Sequence, residues 1–259
     1  MSFVAVLETI DLVIIGMLGA ILGSFVNVVG YRVPRQESIA FPGSHCVVCG
    51  HRLRYYELIP VLSFLFLRGK CRKCKSSISL RYPMIEIVST FLFLYTAISV
   101  SSPLARIAWW LFWLFLLACV ATDITSFRVP NILTYPASIV FVLLSGFFGI
   151  QPWGMAIGGA FLCFFVLVAI HFLSRGNMGL GDAKLYFSIG AMLGPALGIE
   201  TLVLASASGA MIGIFMRIVG WLEAKQKIAF VPHIAVGVIL TVLFGHTWLH
   251  DYVSLLTRP

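Results

Sequence analysis

The chain has 259 residues, of which 60% are hydrophobic and only 11% charged, and its mean hydropathy is +1.00. This composition excludes an ordinary soluble domain, and several apolar runs of about 18 residues or more predict an all-α polytopic membrane protein. The net charge of +8 does not indicate a nucleic-acid partner, because no basic face interleaved with aromatic residues stands apart from the loops between these runs.

The apolar runs predict about eight transmembrane helices. The first run, residues 12–33, contains Gly16, Gly19, Gly23 and Ser24, which are small residues suited to close helix packing. No basic segment precedes this run, so we interpret it as a retained helix and not as a removed signal peptide. The other runs cover residues 83–100, 104–122, 131–150, 153–173, 185–197, 201–220 and 231–249.

The basic residues predict the orientation in the bilayer. With the N-terminus outside, sixteen of the 18 Lys and Arg residues fall in cytoplasmic segments, and only Arg106 and Arg258 do not. Lys and Arg are concentrated in cytoplasmic loops of membrane proteins. The same orientation puts Asp123 and Asp182, each at the end of an apolar run, at the cytoplasmic face.

The polar segment 34–82 predicts a small zinc-binding domain between the first and second transmembrane helices. Cys46 and Cys49 form one CxxC pair, Cys71 and Cys74 form another, and 21 residues separate the pairs. This spacing is typical of a tetrahedral zinc site, and thiolates suit zinc. Disulfides are the alternative, but the predicted cytosolic location disfavours them. Four cysteines leave no open coordination position, which indicates a structural zinc ion.

The remaining cysteines and several histidines have a plainer interpretation. Cys119 and Cys163 lie within apolar runs and are expected to be ordinary buried residues. Four histidines in or near the runs lack metal-ligand spacing and are expected to serve packing or the membrane interface: His171, His233, His246 and His250.

The two aspartates are the candidate catalytic groups. Asp182 ends the sequence Gly-Leu-Gly-Asp at residues 179–182, between two apolar runs. An acid at the edge of a membrane segment is costly and suggests a functional site. Two coupled carboxylates can share a proton, so that one activates water while the other donates to a scissile carbonyl. The alternative is that each acid is an interfacial residue or part of an ion pathway. Lys184, two residues after Asp182, is either an anchor that fixes orientation in the membrane or a charge partner that lowers the pKa of a nearby acid.

Together these motifs resemble the type IV prepilin peptidases, which belong to the GxGD aspartic proteases. The resemblance covers residues 23–28 and 31–34, the two cysteine pairs, residues 59–64, 67–71 and 78–86, Asp123 with residues 129–131, and residues 179–182 with Lys184. The cysteine loop is similar to that of the bifunctional branch of the family. One departure is Val231-Pro232-His233, which stands where the family often has a Pro-Phe-Gly-Pro-like stretch.

The resemblance implies two reactions in a bacterial inner membrane. Asp123 and Asp182 would cut the leader of a prepilin or pseudopilin at the cytoplasmic face, supported by Gly179, Gly181 and Lys184. The new N-terminal amine would then be methylated from S-adenosylmethionine. For that second reaction the matching residues Asn27, Arg81 and Glu86 are the candidates, and no glycine-rich nucleotide fingerprint accompanies them.

The expected domains are residues 1–33, the first helix; 34–82, the zinc-binding loop associated with methyl transfer; and 83–259, seven helices carrying the peptidase site. Two other classes compete with this interpretation. A proton or cation transporter would use both aspartates, but its site would lie near the midplane of repeated halves. A membrane-anchored zinc module that only supports an assembly would depend on the cysteines and not on the aspartates.

Overall fold

The structure is a computed structural model that describes residues 3–175, 178–220, 228–245 and 247–248, without the side chains of residues 3–8. These residues contain no β-strand, and the chain divides into two compact units, Met1–Thr125 and Ser126–Pro259. The helices are α1 (Phe3–Arg32), α2 (Leu62–Phe66), α3 (Arg81–Ser99), α4 (Pro103–Ser126), α5 (Asn131–Phe147), α6 (Trp153–Leu173), α7 (Leu180–Ile218) and α8 (Val231–Leu240).

The described residues contain five helices that are long and apolar enough to cross a membrane, namely α1, α3, α4, α6 and α7. Two shorter apolar segments, α5 and α8 with the π-helical turn that follows it, accompany them. The all-α polytopic class is therefore confirmed, whereas the count of eight stays a prediction. His246 and His250, at the end of the last predicted run, lie outside the described residues.

Two predicted runs, residues 185–197 and 201–220, form one helix of 39 residues, α7. Gly194 inside it has φ 78° and ψ 178°, and Pro195 follows. Since proline cannot donate the helical hydrogen bond, α7 is two helical halves joined by a kink. The side-chain amide of Gln151 donates to the carbonyl of Leu193 at 3.3 Å, next to this kink.

In the first unit, α1 packs along α3 through its small residues. A Cβ atom on Gly19 would lie 3.0 Å from the Cα of Thr90, and one on Gly23 would lie 2.8 Å from the Cβ of Ser89. The predicted small-residue stripe is thus the surface along which these helices meet. α4 packs against α3, where the indole of Trp110 stacks on Phe93 and donates to its carbonyl at 3.2 Å.

In the second unit, α7 packs against α5, α6 and α8. The closest backbone approach joins α6 and α7, where a Cβ on Gly159 would lie 2.3 Å from the carbonyl oxygen of Gly190. Cys163 lies at the same helix pair, since a Cβ on Gly198 would lie 2.5 Å from its sulfur. Cys163, and Cys119 in α4, are completely buried, as predicted for ordinary core residues.

Candidate active site and metal centre

The cysteine loop folds into two similar turns, one around each CxxC pair. The N–H of Cys46 donates to the carbonyl of His51 at 2.9 Å, and the N–H of Cys71 donates to the carbonyl of Ser76 at 2.8 Å. Both hydrogen bonds join the first cysteine of a pair to the residue five positions later. The two pairs therefore have the same local backbone design.

The residue that follows the second cysteine has a left-handed backbone in both turns. Gly50 has φ 67°, and Lys75 has φ 61°. Glycine adopts this region without steric cost, whereas a residue with a Cβ does not. The first turn thus has the residue that its backbone favours, and the second turn does not.

The two turns bring the four cysteines into one cluster. The sulfur atoms of Cys46, Cys49, Cys71 and Cys74 all lie within 4.8 Å of one another, and those of Cys46 and Cys74 are 3.9 Å apart. Tetrahedral zinc with Zn–S bonds of about 2.3 Å has its sulfur atoms about 3.8 Å apart. The cluster therefore could hold a zinc ion.

The thiol of Cys46 is already disposed to ionise. A hydrogen bond from the backbone of Cys49 is the main cause that lowers the pKa of Cys46 to about 6, and the Ser76 hydroxyl contributes less. The thiolate is the form that binds metal, so Cys46 suits a metal ion at neutral pH. The pKa of Cys49 is instead raised to about 11, by burial and by hydrogen bonds to the other thiols, so a metal ion must displace its proton.

Asp182 lies in the first turn of α7, three residues after Gly179 at the N-cap. Its side chain is buried, with only 9% of the residue exposed. The exposed N–H groups of a helix N-terminus stabilise a negative charge. A Cβ on Gly179 would lie 3.5 Å from a carboxylate oxygen of Asp182, so glycine here leaves room beside the carboxylate.

The glycine-rich start of α7 contacts the start of α5 within the second unit. The ammonium of Lys184 donates to the side-chain carbonyl of Asn131 at 2.8 Å and lies over the ring of Tyr135. A Cβ on Gly181 would lie 3.2 Å from the Cβ of Val129. Two segments that are far apart in sequence are thereby joined around Asp182, although Gly176 and Asn177 lie outside the described residues.

Asp123 lies in the last turn of α4, in the first unit, and is 7% exposed. The Thr125 hydroxyl donates to the carbonyl of Gly30 at 2.7 Å and ties this end of α4 to α1. A carboxylate near a helix C-terminus faces the negative end of the helix dipole. Asp123 and Asp182 therefore occupy helix ends of opposite polarity.

A cavity of about 430 Å³ lies in the first unit, between the end of α1, the cysteine loop and the start of α3. Its lining includes Asn27, Arg81 and Glu86. Ligand pockets of small molecules have about 300–1,000 Å³, so its size suits a small molecule. The three residues assigned to methyl transfer by the resemblance, which come from two helices, thus line one space.

Comparison with known proteins identifies the family. Residues 17–100 match the model of the bacterial peptidase A24 N-terminal domain, and residues 110–214 match that of the type IV leader peptidase family. A Bacillus subtilis protein named prepilin leader peptidase/N-methyltransferase is 34% identical over 93% of this chain and 98% of its own length. The chain belongs to the type IV leader peptidase family. The resemblance drawn from the motifs is confirmed.

Other members of the type IV leader peptidase family are similar over most of the chain. A Pseudomonas putida protein of the same name is 29% identical over 94% of both chains. A Myxococcus xanthus protein of that name is 36% identical over 77% of this chain and 61% of its own length. No solved structure matches this chain.

Two features of this family member were missed by sequence reasoning. Glu57 also lines the cavity, and one of its oxygens accepts the N–H of Arg54 at 2.8 Å and lies 3.5 Å from His51. The Arg54 N–H holds the pKa of Glu57 below its ordinary value, with a smaller effect from His51. A polar loop gives no signal of which acid is buried, so only the tertiary fold distinguishes Glu57 from the exposed acids.

The second missed feature is the backbone at Val61. Its φ of 60° and ψ of −51° form a γ-turn in which the Leu62 N–H donates to the Pro60 carbonyl. This turn is rare and strained, above all for a β-branched residue. The N–H of Val61 donates to a carboxylate oxygen of Glu86 at 2.7 Å, so the strained turn holds a residue of the cavity.

Proposed function

We propose that this protein is a membrane-embedded aspartic endopeptidase that removes the leader of a prepilin or pseudopilin, with Asp123 and Asp182 as its catalytic pair. Family membership over nearly the whole chain supports this activity, as do the names of its relatives. One observation carries the proposal: each of the two aspartate motifs has a buried acid at a helix end. Asp123 lies in the last turn of α4, and Asp182 lies in the first turn of α7.

The two acids differ in a way that suggests separate roles. The N-terminal end of α7 stabilises a carboxylate at Asp182, whereas the C-terminal end of α4 disfavours one at Asp123. Two acids in opposite environments divide acid and base work between them. In our proposal, Asp182 is the carboxylate that takes a proton from water, and Asp123 donates its proton to the carbonyl of the scissile peptide.

The loop contacts support a positioning role for the residues around Asp182. Lys184 would hold the start of α7 through Asn131, and Gly181 would allow the close packing on Val129. Gly179 would leave space for water or substrate beside the carboxylate. These roles agree with the family motif, in which the same residue types surround the aspartate.

We also propose a second reaction, methylation of the new N-terminal amine. The relatives are named N-methyltransferases, and S-adenosylmethionine supplies a methyl group in such reactions. Zinc would be held by Cys46, Cys49, Cys71 and Cys74 and would stabilise a loop with a small apolar core. With eight spans and its N-terminus outside, the protein would lie in the bacterial inner membrane, with Asp123 and Asp182 at the cytoplasmic face.

The test is cleavage and methylation of a prepilin-like substrate by purified protein in detergent. Wild type, Asp123→Asn, Asp182→Asn and Cys46→Ser are compared by mass spectrometry of the product N-terminus. Each aspartate variant should lose cleavage by at least about 1,000-fold while its thermal unfolding stays near that of wild type, because neither remaining acid can both activate water and protonate the peptide. Cys46→Ser should lose bound zinc.

Retained cleavage in both aspartate variants would reject the catalytic pair. If wild type shows no cleavage, and assembly in cells fails in Cys46→Ser but not in either aspartate variant, the zinc-scaffold alternative is favoured. If wild type shows no cleavage and instead carries ions across liposomes in an Asp-dependent way, the transporter alternative is favoured.

A further inference from the structure

The cavity of the first unit has the chemistry of a site for a charged, partly apolar molecule. Its polar wall contains the carboxylates of Glu57 and Glu86 and the guanidinium groups of four arginines, Arg32, Arg35, Arg72 and Arg81, and its apolar wall includes Phe64 and Leu67. A sulfonium ligand that also carries an ammonium, a carboxylate and a flat heteroaromatic ring needs all three kinds of group. Its cations need acids, its carboxylate needs a base, and its ring needs an apolar surface. The wall therefore offers a partner to each of the charged and flat groups of S-adenosylmethionine.

Several buried polar atoms of the wall residues lack a hydrogen-bond partner. They are Oδ1 of Asn27, Oε1 of Glu57 and Nε of Arg81. Most buried polar groups in proteins are paired, so each unpaired one requires an explanation. All three residues line the same cavity, which indicates that a bound polar molecule or ordered water completes their hydrogen bonds.

Glu86 is held in place from two sides. The Val61 N–H donates to one of its oxygens at 2.7 Å, and the Ser24 hydroxyl interacts with the same carboxylate. Glu86 and Ser24 both line the cavity. Because backbone strain is tolerated where the surrounding structure uses it, the γ-turn at Val61 suggests that the position of this carboxylate matters.

Arg81 differs from the other arginines of the wall because its buried Nε has no hydrogen-bond partner among the described residues. The guanidinium of Arg35 donates to the carbonyl of Tyr31, and that of Arg72 donates to the Tyr56 hydroxyl. Arg32 is buried and donates to the carbonyls of Ser38 and Gly43, so its guanidinium serves the loop fold. The guanidinium of Arg81 lies over the ring of Tyr82, 4.9 Å from its centroid. Arg81 is thus the cationic group suited to a ligand carboxylate.

The cavity also lies beside one of the two proposed catalytic acids. Thr125 belongs to its lining and is two residues after Asp123 in α4. An α-helix rises about 1.5 Å per residue, so the cavity wall begins within one turn of Asp123. A new amine formed at Asp123 therefore needs only a short movement to reach this space.

We infer that this cavity is the methyl-transfer site, in which Arg81 binds the carboxylate of S-adenosylmethionine and Glu86 takes a proton from the substrate's N-terminal ammonium. This inference rests on the proposed methyl transfer. As the nitrogen lone pair forms the new N–C bond, the C–S bond breaks with its electron pair on sulfur, and Glu86 passes the proton it took to solvent. Glu86 is a catalytic residue of this reaction, and Val61 and Ser24 are positioning residues.

The experiment uses full-length protein in detergent and three readouts: binding of S-adenosylhomocysteine by calorimetry, cleavage of the substrate, and mass gain of its new N-terminus. Arg81→Ala should weaken binding about 10- to 100-fold, because it removes a charge-assisted hydrogen bond. Glu86→Gln should keep binding but slow methyl transfer at least about 100-fold. Both variants should still cleave the substrate, which would show that they are folded.

Two exposed loop residues that do not line the cavity serve as matched controls. Arg68→Ala and Glu37→Gln remove the same groups and should leave binding and methylation unchanged. Wild-type binding in Arg81→Ala, or wild-type methylation by Glu86→Gln, would overturn the inference while the proposed function stands. If wild type transfers no methyl group yet binds S-adenosylhomocysteine through Arg81, the proposed methylation fails and the cavity remains a binding site.

Discussion

At the scale of single residues, the two turns of the cysteine loop have the same backbone conformation but differ in one residue that adopts it. The position after the second cysteine is left-handed in both turns, but it is Gly50 in one and Lys75 in the other. A side chain in this region costs about 1–2 kcal/mol relative to the relaxed backbone. The second turn therefore holds its cysteines at a conformational cost that the first turn does not have.

Replacing Lys75 by glycine should stabilise the metal cluster. We expect Lys75→Gly to gain about 1 kcal/mol, which is about a fivefold increase in resistance to zinc removal. The measurement is the chelator concentration that extracts half of the zinc from purified protein.

Lys73→Gly is the matched control, because it removes the same charge at a position whose φ is not positive. This variant should lose zinc at a lower chelator concentration than wild type does, since glycine costs backbone entropy without relieving strain. Equal effects of the two variants, or greater zinc retention by Lys73→Gly than by Lys75→Gly, would contradict the role of the left-handed backbone.

At the scale of elements, small residues set how closely the helices approach. α1 meets α3 at Gly19 and Gly23, and α6 meets α7 at Gly159 and Gly190. Between transmembrane helices the apolar driving force is weak, so association depends on such close packing. The glycines of α1 were predicted as a contact stripe, whereas the second pair was not, because its two members come from separate helices.

A single added methyl group should separate α6 from α7. In Gly190→Ala the new Cβ would lie 2.2 Å from the carbonyl oxygen of Gly159, so the helices must move apart. Overpacking of this kind costs about 1–3 kcal/mol. We expect a lower midpoint of thermal unfolding in detergent.

Gly154→Ala in α6 is the matched control, because nothing lies within 4 Å of its Cβ. It should leave the midpoint unchanged or raise it slightly, since alanine favours the helix. Identical midpoints for both variants would show that the close contact at Gly190 does not limit stability.

At the scale of the whole molecule, each compact unit carries its own part of the chemistry. The first unit contains the cysteine cluster, the cavity and Asp123, and the second contains Asp182 at the start of α7. The proposed mechanism needs both acids at one membrane face. Orientation is therefore the property on which the whole proposal depends.

Reporter fusions test this orientation. Alkaline phosphatase fused after Ser101, between α3 and α4, should be active, because the positive-inside rule puts this loop outside. Fusion after Phe127, just beyond Asp123, should give inactive phosphatase. The reverse pattern would put Asp123 on the outer face and contradict cytoplasmic cleavage.

The sequence by itself determined the membrane class, most helix positions, the cysteine set and the family, because hydropathy, spacing and motifs are local signals. The catalytic roles of Asp123 and Asp182 stay predictions. Only the tertiary structure decided that residues 180–218 form one kinked helix, that Glu57 lines the cavity with Asn27, Arg81 and Glu86, and that a strained Val61 holds the Glu86 carboxylate. The reason is physical: burial and backbone strain depend on neighbours far apart in the chain, which no local pattern records.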